Sequence, residues 1–190
     1  MKNKSNKIES IQNMKEDMQI LSLMLQNGRI WSKLIPKNEA IDSLHEVEFK
    51  VFSQWGEDGI INWLTQKIPN LDKTFLEIGT QDYKESNTRF LIMSKNWTGY
   101  IIDSSKEDIT KVKKQSIYWK YNLKAFNFFI TKENINNTLS KIKVPNEIGL
   151  LSLDIDGNDY WVLEKIDTNK INVIGNEYNP WLGSNSKKVI

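Results

Sequence analysis

Four short apolar runs, "TFLEIG" at 74–79, "TGYIID" at 98–103, "GLLSLDID" at 149–156 and "INVIGNE" at 171–177, each reach an acidic residue at or near their end, with helix-like stretches between most of them. No other feature constrains the fold so strongly. Apolar runs of this length, alternating with helices, predict an α/β chain: a mostly parallel sheet with helices on both faces. Counting an aromatic, strand-like stretch "SIYWKYNLKAFNFFI" at 116–130, with room for two strands, the expected architecture is a Rossmann-like three-layer sandwich of five strands in the order 3-2-1-4-5. Ligands of such sheets bind at the carboxyl ends of the strands. Glu77, Gly79, Asp103, Asp154, Asp156, Glu177 and Asn179 all fall there.

The helices follow from periodicity. Ile11, Met14, Met18, Leu21 and Leu25 recur at spacings of three and four, which predicts a helix over 8–27 stopped by Gly28. That face packs on its own domain or forms a short seam with a second copy, a homodimer through the N-terminal helix. Residues 29–45 connect onward, so 1–45 reads as a helical extension and 46–190 as the α/β domain. Ser53 is the expected N-cap of the next helix, with Glu57 and Asp58 in its first turn and Ile60, Ile61, Leu64 and Ile68 as its apolar face. Short helices are predicted in "NTRFLIMSK", "KEDITKVKK", "KENINNTLSKI" (capped by Thr131) and "YWVLEKI".

Composition removes several functions. The chain has 190 residues, a formal net charge of +2 and scattered basic residues, which gives no footprint for nucleic acid. No run approaches the ~20 apolar residues of a membrane span. The start "MKNKSNKIES" has no apolar core behind its lysines, unlike a secretory signal. Cysteine is absent, so disulfides, thiolate nucleophiles and zinc–thiolate sites are excluded together, and a cytoplasmic protein is the simplest reading. With His45 as the one histidine, acid–base chemistry rests mainly on carboxylates.

The loop after the first strand narrows the ligand. A bound pyrophosphate needs several glycines so that backbone N–H groups can approach it. Gly79 is instead followed by "TQDYKESNT", bulky and acidic. That suits a ligand without phosphates that carries a cationic part, such as S-adenosylmethionine. Asp103 lies 24 residues after Gly79, where a carboxylate accepts both hydroxyls of a ribose.

"FSQWGEDGII", "FLEIGTQDYKESNTRFL", "NWTGYIIDSS", "LLSLDIDGNDYWVLEKI" and "NEYNP" together resemble, over about residues 45–182, the FkbM-like branch of class I S-adenosylmethionine-dependent methyltransferases. The resemblance implies a cofactor loop at Glu77 and Gly79, a ribose-binding acid at Asp103 with Ser104 beside it, and an acidic position near the transferred methyl at Asp154. It implies a sugar or surface-polysaccharide precursor hydroxyl as acceptor. The chain departs from the family in having fewer loop glycines, so that the cofactor's amino-acid end falls to Asn87 or the "SQWGED" segment. It also departs in strand number: such enzymes have seven strands, and "KKVI" reads as the stub of a sixth, in a chain either shortened or completed by another copy.

Asp154 or Asp156 is expected to take the acceptor's proton, or Asp154, Asp156 and Glu177 to hold Mg2+ or another divalent cation that acidifies the hydroxyl. "DIDGND" is equally a plain strand-to-helix turn with Asn158 or Asp159 as cap, and it lacks the length of an EF-hand loop. Two other functions stay open: a non-catalytic nucleoside-binding module, and a nucleotide-sugar glycosyltransferase using Asp154-Ile155-Asp156 as an acid-x-acid pair. His45 reads as a surface or packing residue with a place over the cofactor as the alternative, Tyr83 as a packed aromatic, Trp55 as an anchor for its helix or else a cover for the adenosine, and Phe128, Phe129 and Ile130 as core unless one of them packs on adenine.

Overall fold

The computed structural model describes residues 2–36 and 40–177, with side chains described from Lys15 onward. In chain order come α1 (Lys2–Leu34), a 3-10 turn (Leu44–Val47), α2 (Glu57–Lys67), β1 (Thr74–Ile78), α3 (Arg89–Lys95), β2 (Thr98–Asp103), α4 (Lys106–Lys114), α5 (Ser116–Lys120), β3 (Leu123–Asn127), α6 (Ile135–Lys141), β4 (Ile148–Leu153), α7 (Asp159–Leu163) and β5 (Ile171–Asn176). The five strands form one sheet in the order β3-β2-β1-β4-β5, and every pairing is parallel. The chain is thus an α/β sandwich of Rossmann-like topology, as its strand and helix pattern predicts.

Both faces of the sheet are covered, which is why the central strands are buried and mostly apolar. On one face Phe75, Ile101, Leu123 and Leu150 pack with Ile61, Phe90, Ile109 and Ile35 from the α1–α5 side. On the other Leu76, Ile78, Ile102 and Leu151 pack with Ile135 of α6 and Val162 of α7. β1 and β4 are buried along their whole length, whereas β3 and β5 alternate at the edges. No helix among the described residues is long and apolar enough to cross a membrane.

Four local expectations change. Asn134, not Thr131, stands at the N-cap of α6. Gly28 does not stop α1, which runs on to Leu34. A Cβ there would lie 2.4 Å from Val51 Cγ2 and 2.8 Å from the Phe90 ring, so the glycine is a close-packing contact inside the helix. Ser53 does not stand at the N-cap position of α2, which is Gly56, but its hydroxyl does accept the N–H of Asp58 in the helix's first turn at 3.1 Å. Ser53 also helps hold the buried Asp58, whose Oδ2 accepts the N–H groups of Val51, Phe52 and Ser53 and the Ser53 hydroxyl. "SIYWK" is a short helix, α5, not strand. Ile117 alone of that helix is buried, and local β-propensity yields to this packing. Asn179, the "KKVI" segment and the side chains of Ile11 and Met14 lie outside the described residues.

Candidate functional site

The strand order reverses between β1 and β4, and a crevice opens at such a switch point. Register sets its floor. One step beyond the pairs Ile78↔Ile102, Ile78↔Leu153 and Leu153↔Asn176 come Asp103, Gly79, Asp154 and Glu177, side by side across the sheet. Backbone hydrogen bonds hold this row: Gly79 N–H to Ile102 O at 2.9 Å, Asp154 N–H to Ile78 O at 3.0 Å and Glu177 N–H to Leu153 O at 3.2 Å. Gly79 sits at φ +85, and a Cβ on it would fall 1.5 Å from the Asp154 carbonyl oxygen, so no larger residue fits.

The cleft has a volume of about 270 Å³. Gly79, Asp103, Ser104, Asp154 and Asp156, all expected site residues, line it. Ile78, Ile102, Phe128, Phe129, Ile130 and Ile155 supply its apolar lining. The charged side chains of the lining are Asp103, Asp108, Asp154 and Asp156, with no lysine or arginine among them. A cleft of this composition attracts a cation and repels a phosphate.

Asp103 is largely engaged. Its Oδ2 accepts the N–H groups of Thr80 (2.9 Å) and Gln81 (2.7 Å), and its Oδ1 accepts that of Ser105 (2.7 Å). The carboxylate thereby ties the loop after β1 to the end of β2. Of its roughly four acceptor positions about one is left for a ligand hydroxyl. The same loop carries Gln81 and Tyr83 at positive φ (47 and 60), and the β4 turn carries Asp156 at 54. Backbone strain of this kind gathers at ligand sites.

Two expected cofactor residues stand off the cleft. Glu77 is buried beneath the loop and accepts hydrogen bonds from Ser86 Oγ (2.7 Å), the Thr88 hydroxyl (2.5 Å) and Asn87 N–H (3.0 Å). Because the Thr88 hydroxyl donates to Glu77, the Tyr83 hydroxyl, 2.8 Å away, donates to Thr88. Burial pushes the Glu77 carboxyl above its usual range against the pull of these donors. Asn87 donates from its side chain to Ser152 Oγ, so it too shapes the loop. Tyr83 is fully buried, as a packed aromatic should be.

At the β4 end, the carboxylate oxygens of Asp154, Asp156 and Glu177 lie within 4.8 Å of one another, and all three residues are exposed. Partial withdrawal from water, then the charges of Glu177, Asp156 and Asp159, lift the Asp154 carboxyl to about 7. Asp159 is buried and holds the turn together: its two oxygens accept Ile155 N–H (2.9 Å) and Gly157 N–H (3.0 Å), while Asn158 stands at the N-cap of α7 without a side-chain cap bond. The turn reading and the acidic-cluster reading therefore hold together, in different carboxylates of one segment. Three oxygen ligands of this type suit a hard divalent cation, with water completing its shell.

The surrounding residues sort simply. His45 is exposed and meets Glu48 Oε2 at 2.8 Å on the surface. Trp55 is 71% exposed and anchors nothing, contrary to expectation. Phe129 is 69% exposed on the rim, so of its strand end only Ile130 and the half-buried Phe128 join the core. Gln81, Ser105, Asp108 and Asn158, which also line the cleft, lie two to five residues past the strand ends, in loops or, for Asp108, in the first turn of α4. Neither protein-family models nor curated proteins give a match to this sequence.

Proposed function

We propose that the chain is a methyltransferase that takes its methyl group from S-adenosylmethionine and delivers it to a hydroxyl of a sugar or surface-polysaccharide precursor. The observation that carries this reading is the switch-point cleft, wholly acidic in its charged lining and with apolar side chains beside the carboxylates. The donor set fits the cofactor. The apolar lining at Phe128, Phe129 and Ile130 suits an adenine ring, the free acceptor position of Asp103 a ribose hydroxyl, and the carboxylates of Asp154 and Asp156 a sulfonium or ammonium. The same lining disfavours NAD and nucleotide sugars, which bring phosphates to a site without cationic side chains.

When bound, the cofactor supplies a methyl group already activated by positive sulfur. The chain's task is then to align the acceptor, and such positioning supplies roughly 7–11 kcal/mol. Asp154, with its carboxyl near 7, is the group suited to accept the hydroxyl proton at neutral pH. The cluster with Asp156 and Glu177 favours a second way to the same end, in which these three hold Mg2+ or a similar cation and the hydroxyl is acidified. A nucleotide-binding site of this class and a chain without cysteine suit a cytoplasmic protein.

Calorimetric titration with S-adenosylmethionine, S-adenosylhomocysteine, NAD and a nucleotide diphosphate sugar, each with and without Mg2+ and Mn2+, tests the reading. The two adenosyl ligands should bind without metal, and Asp103→Ala should weaken both. Preference for the nucleotide sugar with Mn2+ would instead support a glycosyltransferase. Adenosyl binding with no turnover on any hydroxyl acceptor would leave a nucleoside-binding module.

A further inference from the structure

Helix α1 carries two apolar faces, and the domain uses only one. Leu21, Leu25, Gly28, Ser32 and Ile35 turn inward, with Gly28 against Val51 and Phe90 and Leu21, Leu25 and Ile35 in the core beside the sheet. The expected seam through Leu21 and Leu25 is therefore occupied by the chain itself. A second stripe, centred about 125° round the helix at 100° per residue, stays open. It comprises Ile20 (55% exposed), Leu23 (65%), Met24 (40%), Ile30 (57%), Trp31 (50%) and Leu34 (66%). Asn27, also exposed, is its one polar member, and no charged residue interrupts it.

The stripe has an internal symmetry. Measured from Asn27, its apolar residues stand at −7, −4, −3, +3, +4 and +7. Reversing the direction of the helix maps the stripe onto itself: Ile20 onto Leu34, Leu23 onto Trp31, Met24 onto Ile30, Asn27 onto Asn27. A surface that is its own complement under such a reversal is what a two-fold, isologous interface requires. A single amide at the centre fixes register, because only there can its polar atoms meet a polar mate.

We propose that α1 pairs antiparallel with α1 of a second copy of this chain, on a two-fold axis at Asn27. The paired stretch from Ile20 to Leu34 spans about 21 Å. Six half-exposed apolar side chains from each copy would remove roughly 1,000–1,200 Å² from water, the low end for a specific dimer. This second copy is a partner for the helix and is independent of what the cleft binds.

The chain lacks cysteine, which makes the test direct. Sedimentation of the full chain over a dilution series should show a dimer that dissociates on dilution. Leu23→Glu and Ile30→Glu should each reduce the mass to that of a monomer at every concentration, with the urea midpoint of the monomer unchanged because both side chains face solvent. In the orientation arm, Ile20→Cys mixed with Leu34→Cys should give a disulfide-linked pair. Ile20→Cys alone should give none, since its own counterpart lies about 21 Å away along the seam. A wild-type chain that stays monomeric at the highest concentration overturns the proposal, as does a dimer that survives both glutamate variants. Crosslinking of Ile20→Cys with itself overturns the antiparallel register.

Discussion

Gly79→Ala separates the geometry of the cleft from the general tolerance of a sheet to an added methyl group. The new Cβ would stand 1.5 Å from the Asp154 carbonyl oxygen and 2.7 Å from its carbon. Contacts below 3.0 Å essentially do not occur, so β1 and β4 must part by at least 1.5 Å at their ends. The obstacle is backbone, held by the Asp154 N–H bond to Ile78 O, and Gly79 itself is held to Ile102 O. Losing both costs about 1 kcal/mol each, and an alanine at positive φ adds about 1–2 kcal/mol. The expected loss is therefore about 3–4 kcal/mol, read as a lowered urea midpoint at constant slope. Gly175→Ala is the control on the same sheet. Its Cβ would meet only Leu151 O at 3.9 Å, and replacing glycine within a strand should gain up to about 1 kcal/mol. A loss under about 1 kcal/mol for Gly79→Ala, against that control, would refute the close approach of β1 and β4 from which the cleft is built.

Other perturbations probe the carboxylates. Asp58→Ala should cost about 3–5 kcal/mol in urea unfolding, because three buried N–H groups lose their acceptor, and Asp58→Asn should cost less. Asp154, raised from 3.8 to about 7, favours the folded state fully below about pH 4, and that contribution is lost as pH rises through 7. Stability should thus decline slightly over that window, and Asp154→Asn should flatten the decline. Turnover should run the opposite way, rising through pH 7 as Asp154 ionises. Asp156→Asn, at φ 54 where asparagine is well tolerated, should impair turnover much more than cofactor affinity, and equal turnover would remove Asp156 from the reaction.

The sheet was legible because its strands are short, apolar and interrupted by turn residues, and because parallel pairing leaves few orders. The row Gly79, Asp103, Asp154 and Glu177 followed from that order, since strand ends in one sheet are neighbours. The role of Glu77 was not legible. Its partners Ser86, Asn87 and Thr88 lie nine to eleven residues on, in a loop without periodicity. Ser53 and Asp58 show the same limit: a serine ahead of an acidic first turn looks like an N-cap, and nothing local shows that it stands four residues before the helix and bonds both the N–H and the carboxylate of Asp58. In α5, Ile117, Tyr118 and Trp119 are β-formers by propensity, and only the fold around them makes a helix. Along α1 the inward face supplies a clear period of three and four, which hides the second face from the same reading.

The proposed function requires an adenosyl ligand at the ends of β1, β2 and β4. Backbone NMR of the labelled chain titrated with S-adenosylhomocysteine tests it without requiring turnover or an acceptor. Shifts should concentrate at Gly79, Gln81, Asp103, Ser104, Ile130 and Asp154, with little change at His45 or Glu133. Saturating ligand that leaves those amides unmoved, or that shifts a different surface, would contradict it.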